Sequence, residues 1–428
     1  MLKITPCDQS ERQKVLDGIR NRSAETDEKV TVAVKVFINN VVANGDKALR
    51  EYSLQFDGAC PEHFEVPKEE LQAALANADP DLRSALENAA KNIESFHQNQ
   101  KQRSFIVTGE DGTITGQRLR PLNTVGMYVP CGTSALSSTV LMNAIPAKIA
   151  GVKELIMCTP PQRDGKANPD ILLAAAIAGV DKVFACGSAW AIAAMAYGTQ
   201  SIPRVDKIVG PGNIYVATAK KLLFGRVDID MIAGPSEILI MADKTANPKY
   251  IAADILSQAE HDVLASAVLL TTDEDIAQNV ITELDRQIKQ LPRREIAEQS
   301  LADYGAILRC EDEDDMVALA NELAPEHLEV MCANAMEYLG RLDNAGSVFL
   351  GDWSPEPLGD YYAGPNHVLP TSGTARFFSP LGVDSFIKRS SFISYNRAAL
   401  EKAKEDIITI AGHEGLDAHA NAVKVRFE

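Results

Sequence analysis

The sequence is short of features that mark several large classes of protein. It holds no C-x-x-C pair and only seven cysteines, Cys7, Cys60, Cys131, Cys158, Cys186, Cys310 and Cys332, spread over 428 residues. An odd, dispersed set reads as reduced thiols in a cytoplasmic protein and argues against a disulfide framework or a cysteine-built zinc cage. The longest apolar stretches, such as 171–180, fall well short of the roughly 20 residues of a bilayer-spanning helix. The opening residues lead straight into polar sequence, so no secretory leader is expected. Positive charge is scarce too: 42 Lys and Arg stand against 59 Asp and Glu, a net charge of −17. So acidic a surface repels phosphate backbones and anionic lipid, and the expectation is no nucleic-acid and no membrane partner. What remains, 46% hydrophobic and 24% charged residues, is the composition of a globular protein with a substantial core.

Two textures make up the chain. The first hundred residues carry helical spacing at 10–20, 27–56 and 68–101, with Val30, Val34, Phe37, Ile38, Val41 and Val42 on one stretch. From Thr124 short apolar runs alternate with helical patterns, predicting strands at 124–129, 154–158, 182–185 and 207–209. A second series predicts strands at 238–241, 267–270, 306–308 and 347–350, with helices between them, and the tail from 381 is mostly helical. Buried strands joined by helices predict parallel sheets with crossovers. No internal repeat is visible.

Only seven histidines occur, and five follow residue 260. Ser257-Gln258-Ala259-Glu260-His261 ends a predicted helix, so Gln258 and His261, three apart, leave one face and could converge on a metal. Equally, they could be a solvated helix end. Pro325-Glu326-His327-Leu328 sets a carboxylate beside an imidazole among apolar neighbours, a pairing able to remove a proton and polarise a water. Gly359-Asp360 through Asn366-His367 is a glycine- and proline-punctuated loop carrying an acid and an imidazole. His413, Glu414 and His419 load a C-terminal tail, where functional residues would mean docking onto another surface. Imidazole, amide and carboxylate from Gln258, His261, Asp360 and His419 would suit zinc. No G-x-G-x-x-G occurs; Gly210-Pro211-Gly212-Asn213 and Gly234-Pro235-Ser236-Glu237 are turns where backbone N–H groups could face a phosphate.

Taken together, these motifs resemble the histidinol dehydrogenase family. Further carriers are Gly126-Met127-Tyr128-Val129-Pro130, Leu141-Met142-Asn143-Ala144-Ile145-Pro146-Ala147 and Glu414-Gly415-Leu416-Asp417-Ala418-His419. The resemblance implies NAD-dependent, two-step oxidation of L-histidinol through L-histidinal to L-histidine, the last steps of histidine biosynthesis. It implies zinc held by Gln258, His261, Asp360 and His419, with His327 as the base and Glu326 activating water on the aldehyde. Ser236, His367 and Glu414 would be further substrate contacts, and Tyr128 and Asn213 NAD contacts. A homodimer is implied as well, with Glu414 and His419 completing the partner's site. Two departures stand out. Where the family commonly has Gly-Gly-Ala-Gln, this chain has Gly187-Ser188-Ala189-Trp190, whose indole would either stack on the adenine or fill the pocket. Cys131 stands where glycine is usual.

The fold expected is α/β: two Rossmann-like doubly wound domains, a helical N-terminal segment and an extended helical C-terminal tail. The boundaries expected are 1–25 for the N-terminal segment, 124–235 for the NAD domain, 26–123 with 236–380 for a discontinuous second domain, and 381–428 for the tail. Competing readings are a dehydrogenase of another polar alcohol, such as a sulfonated diol, a zinc hydrolase using Glu326, and a silent binding protein. His367 and Glu414 favour a substrate bearing imidazole and amine over a sulfonate.

Overall fold

The computed structural model describes residues 2–22, 28–131 and 135–428. Among them, strand β1 (Ile4–Pro6) opens the chain, β2 (Phe105–Thr108) and β3 (Ile114–Pro121) form a hairpin, and β4 (Thr124–Tyr128), β5 (Glu154–Thr159), β6 (Lys182–Ala185), β7 (Lys207–Val209) and β8 (Asp228–Ile229) follow. Then come β9 (Glu237–Ala242), β10 (Ser266–Thr271), β11 (Gly305–Arg309), β12 (His327–Met331), β13 (Ser347–Leu350) and β14 (Ile387–Ser394).

They form two parallel sheets and one antiparallel sheet. The five-stranded parallel sheet runs β6-β5-β4-β7-β8 and the six-stranded one β1-β11-β10-β9-β12-β13. Set β1 aside and both have one winding: three strands laid outward, a return to the centre, then two outward the other way. The two α/β units therefore share a topology without a visible sequence repeat.

Strands in both sheets are apolar on both faces because helices cover both faces. Val125, Met127, Leu155 and Met157 face one helical layer, and Ile156, Cys158, Phe184 and Ile208 the other. In the larger sheet Ile238, Ile240, Leu269 and Ile307 face one layer, and Leu239, Met241, Val268 and Leu328 the other. Burying each such side chain is worth about 1.5–3 kcal/mol, which is why the strands read as apolar runs without alternation.

The packing corrects the expected boundaries. Helices Glu28–Asn44, Lys68–Ala76 and Pro80–Gln98 contribute Val34, Leu71, Leu86 and Ile93 to the two cores of the five-stranded sheet, so this segment belongs with 124–235 and not with 236–380. Conversely, β1 pairs with β11, and helix Gln9–Asn21 sends Leu16 and Ile19 into the core of the larger sheet. The first residues thus hold a strand as well as a helix. In the third sheet, β14-β3-β2, the late strand β14 pairs along the whole of β3. Beyond it, helices Arg397–His413 and Asp417–Lys424 pack on each other as an arm. No helix of the described residues is long and apolar enough to cross a membrane.

Candidate active site

Helix Glu313–Leu323 ends at Ala324, which takes a left-handed conformation at φ 50° just before Pro325. A proline cannot continue the helix, so the chain turns at once into β12, which lies between β9 and β13. That delivers Glu326 and His327, both buried, to the edge of the larger sheet where its strands begin. The neighbouring strand β9 begins at the same edge. His327 Nδ1 lies 2.9 Å from the Glu237 carbonyl oxygen, and Glu237 N donates to Glu326 Oε2 at 2.9 Å. A carbonyl can only accept, so Nδ1 carries a hydrogen and Nε2 is the free atom. That Nε2 is buried and without a hydrogen-bond partner. It faces Asp360 Oδ1 at 3.8 Å and Glu356 Oε1 at 3.9 Å.

Burial pulls the His327 pKa down, but Glu326, Asp360 and Glu356 outweigh it and push the imidazole up to about 10. Burial, opposed by His327 and reinforced by Glu237, raises Glu326 to about 7. A divalent cation among these carboxylates would cancel the charge that keeps His327 protonated.

A cation would fit. Helix Pro248–Ala259 brings Gln258 to its last turn, fully buried, with neither Nε2 nor Oε1 partnered. Leaving a buried amide so costs about 1–3 kcal/mol, which a ligand would recover. Just past the helix, His261 offers a ring nitrogen within 4.8 Å of oxygens from Glu356 and Asp360, which lie within 4.8 Å of each other. Of the four expected ligands, His261 and Asp360 thus meet in one cluster with Glu356, and Gln258 precedes His261 by three residues on the same helix end. His419 is exposed on the arm and absent from this cluster, and Glu414 is exposed beside it.

The loop after Asp360 closes the site against the other domain. His367 Nδ1 donates to the Asp360 carbonyl at 3.0 Å, while Nε2 lies 3.4 Å from Thr139 Oγ1 on helix Ser137–Ala150. Burial lowers the His367 pKa, leaving a neutral ring whose Nε2 can accept the hydroxyl's hydrogen. Asn366 donates to the Met142 carbonyl at 2.6 Å. At Gly364 (φ 112°) a Cβ would come within 2.7 Å of the Asn92 carbonyl, so only glycine lets the loop lie this close. Ser236 sits at the turn into β9, and its carbonyl accepts from Ser266 N at 3.0 Å.

On the smaller sheet, Tyr128 ends β4 and Asn213 follows β7, the paired strands between which the winding reverses. This is the usual dinucleotide crevice. Tyr128 ends β4, buried, and its hydroxyl accepts from Ser188 N at 2.9 Å. Asn213 caps helix Ile214–Leu223, accepting from Tyr215 N and Val216 N. Gly210 is pinned from both sides: its N–H donates to Asp230 at 2.8 Å and its carbonyl accepts from buried Lys220 at 2.9 Å. A Cβ there would collide with the Tyr128 carbonyl at 2.1 Å. Trp190 departs from the cofactor-contact expectation. It is 3% exposed, stacked on Phe56 with centroids 5.4 Å apart and flanked by Phe37 and Tyr52. Of the two fates expected for the indole, the packing favours filling the pocket.

Sequence reasoning missed four residues that build this cleft. Glu356 could have been found, since it stands four before Asp360 and shares its helix face. Asp57 ends a π-helical turn, Ser53–Asp57, its Oδ2 buried and unpartnered, and burial raises its pKa to about 6. Nothing local marks it. Arg22 reaches Glu237 at 2.7 Å, both side chains almost wholly buried, in an ion pair across 215 positions of sequence.

A strand-end crevice of the kind that binds dinucleotides, with a buried histidine and carboxylates on the second sheet, has the layout of a nucleotide-dependent oxidoreductase. Comparison with known proteins narrows the class. The profile of the histidinol dehydrogenase family matches residues 20–427. Curated histidinol dehydrogenases from Listeria innocua and Clostridium acetobutylicum are 54% and 52% identical over 417 and 416 residues, covering 97% of this chain and 97% and 96% of theirs. The crystal structure of histidinol dehydrogenase from Elizabethkingia anophelis superposes with a TM-score of 0.93 at 40% identity, covering 99% of this chain and 97% of that one. The chain belongs to the histidinol dehydrogenase family. It is an NAD-dependent, zinc-binding oxidoreductase that oxidises histidinol in histidine biosynthesis.

Proposed function

We propose that the chain carries histidinol through both oxidations, by way of histidinal, in a site shared between two copies of itself in the cytoplasm. The observation that carries this reading is the free Nε2 of His327 beside the convergent donors of His261, Glu356 and Asp360. His327 Nε2 takes the hydroxyl proton as hydride leaves the carbinol carbon, while the Glu237 carbonyl holds the ring through Nδ1. Tyr128 and Asn213 would hold NAD, which would supply the hydride acceptor. Glu326, whose carboxyl titrates near neutrality, then draws a proton from the water that adds to the aldehyde, giving the hydrate for the second oxidation.

Gln258, His261 and Asp360, with His419 of a second copy, would hold zinc, which supplies Lewis-acid fixation of the substrate's imidazole and amine. Ser236, His367 and Glu414 would complete the substrate's polar contacts. Support for a second copy lies in the arm: Glu414 and His419 are exposed, and His419 does not join the cluster of His261, Glu356 and Asp360 within its own chain. The hairpin beneath exposes Phe105, Ile106 and Val107, and β14 exposes Ile393. Seven free cysteines fit a cytoplasmic setting.

The test is stoichiometry. Zinc-loaded protein given L-histidinol and excess NAD should yield about two NADH per histidine, the ratio of a four-electron oxidation. One NADH per turnover with histidinal accumulating would overturn the two-step reading.

A further inference from the structure

At the opposite edge of the larger sheet, the ends of β1 and β11 bring two thiols together that the active site does not use. The last paired positions are Pro6 and Arg309, and Cys7 N donates to the Arg309 carbonyl at 2.9 Å, so Cys7 and Cys310 follow as neighbours. Adjacent strands lie about 4.8 Å apart, inside the roughly 4.4–6.8 Å Cα window of a disulfide. Their sulfurs and an Asp315 carboxylate oxygen all lie within 4.8 Å of one another. Such a trio could be taken for a metal site, but Arg12 argues otherwise. Its guanidinium pairs with Asp315 and donates through Nε to the Cys7 carbonyl at 3.2 Å, placing a positive charge where a cation would sit. That charge suits a thiolate.

We propose that Cys7 and Cys310 are a peroxide-responsive dithiol that closes to a reversible disulfide and fastens the first strand to the sheet. The two cysteines differ in access. Cys7 is partly exposed on a cavity of about 480 Å³ lined also by Gln9, Gln13 and Glu322, whereas Cys310 is 2% exposed. A hydrogen bond from Cys310 and the charge of Arg12 outweigh burial and draw the Cys7 thiol down to about 7. Cys7 is therefore the attacking thiolate and Cys310 the resolving thiol. The Cys7 thiolate displaces hydroxide from hydrogen peroxide and becomes a sulfenic acid. Cys310 sulfur then attacks that sulfur, and its proton leaves with the sulfenic hydroxyl as water. In total one thiolate, one thiol and one peroxide give one disulfide, one water and one hydroxide; the sulfurs lose two electrons and the peroxide gains them. The bond lies at the far edge of the sheet from Glu326 and His327, so turnover should be unchanged while the N-terminal strand can no longer fray.

The test treats the zinc-loaded enzyme with hydrogen peroxide, alkylates the remaining thiols and maps peptides by mass. The proposal expects a Cys7–Cys310 linked peptide, about 2 Da below the sum of its reduced halves and released by dithiothreitol. Cys310→Ser should leave a dimedone-reactive sulfenic acid at Cys7, and Arg12→Gln should slow linkage by about tenfold. Full alkylation of both cysteines after peroxide, in the wild type whose fold is not in question, would overturn it. So would protection of both thiols by a second equivalent of zinc that Cys7→Ser abolishes, since the pair would then be a metal site.

Discussion

His327 is governed by a balance of one hydrogen bond and three carboxylates. The Glu237 carbonyl fixes its tautomer, and the carboxylates hold its proton too tightly for a base unless a cation offsets them. Removing the imidazole by His327→Ala should therefore leave zinc content and fold intact while cutting oxidation by roughly 10²-fold or more, measured as NADH formation; near-normal turnover would remove His327 from the role. Glu326→Gln separates the half-reactions. Because only the carboxylate can draw a proton from water, and burial holds Glu326 above the ordinary carboxylate range, histidinal oxidation in the wild type should fall on acidification at a higher pH than an exposed carboxylate would give. The variant should be slow at every pH, with histidinol oxidation less affected, and equal slowing of both steps would discard the assignment. These two residues were legible in the sequence because an acid and an imidazole flanked by proline and apolar residues need a reason. Glu237 was not: it holds His327 and Glu326 through backbone carbonyl and N–H groups, which any residue type supplies, and its carboxylate pairs with Arg22 from 215 positions away.

Elements place those residues, and some elements depend on partners far along the chain. Strand β12 carries His327 and Glu329 on the face opposite Leu328 and Val330, so its composition reads as mixed, and only packing between β9 and β13 makes it a strand. Strand β1 is three residues whose pairing partner lies 302 or more positions away, beyond the reach of periodicity. Helix Gln9–Asn21, which follows β1, ends one residue before Arg22 and so sets its charge beside Glu237, directly behind Glu326. Breaking a buried pair costs more than the pair is worth, because the orphaned Glu237 stays buried. Arg22→Ala should thus lower stability by about 3–5 kcal/mol in denaturant melts, and it should shift the pH profile of aldehyde oxidation in whatever enzyme remains folded. Arg22→Lys should rescue much of the stability but not the paired geometry, and an unchanged pH profile in both variants would make Arg22 purely structural. On the other sheet, Trp190→Ala should cost about 3–5 kcal/mol as a buried aromatic lost; a change in the NAD Michaelis constant with no loss of stability would instead put the indole on the cofactor.

At the scale of the whole molecule, two sheets of one winding face each other with opposite ends. The proposed NAD crevice lies at the ends of the strands in the smaller sheet, where parallel sheets ordinarily bind ligands, whereas Glu326, His327 and Ser236 lie at the beginnings in the larger one. At the strand ends of the larger sheet, Asp243 instead ties its own loops together, accepting from Thr245 N and Ala333 N. Turning the second domain end over lets one loop, Asp360 to His367, touch both units and leaves its wall open on one side. The arm carries the residues that would fill it, yet presents them to solvent in a single chain. A site completed in trans makes a demand that no single-chain site makes. His261→Ala and His419→Ala should each lose zinc under mild chelation and each be inactive. Unfolded together in equal amounts and refolded with zinc, they should regain about a quarter of wild-type activity, since half of random dimers are mixed and each holds one intact and one doubly damaged site. If both ligands came from the same chain, every site in the mixture would lack one of them, and no activity would return.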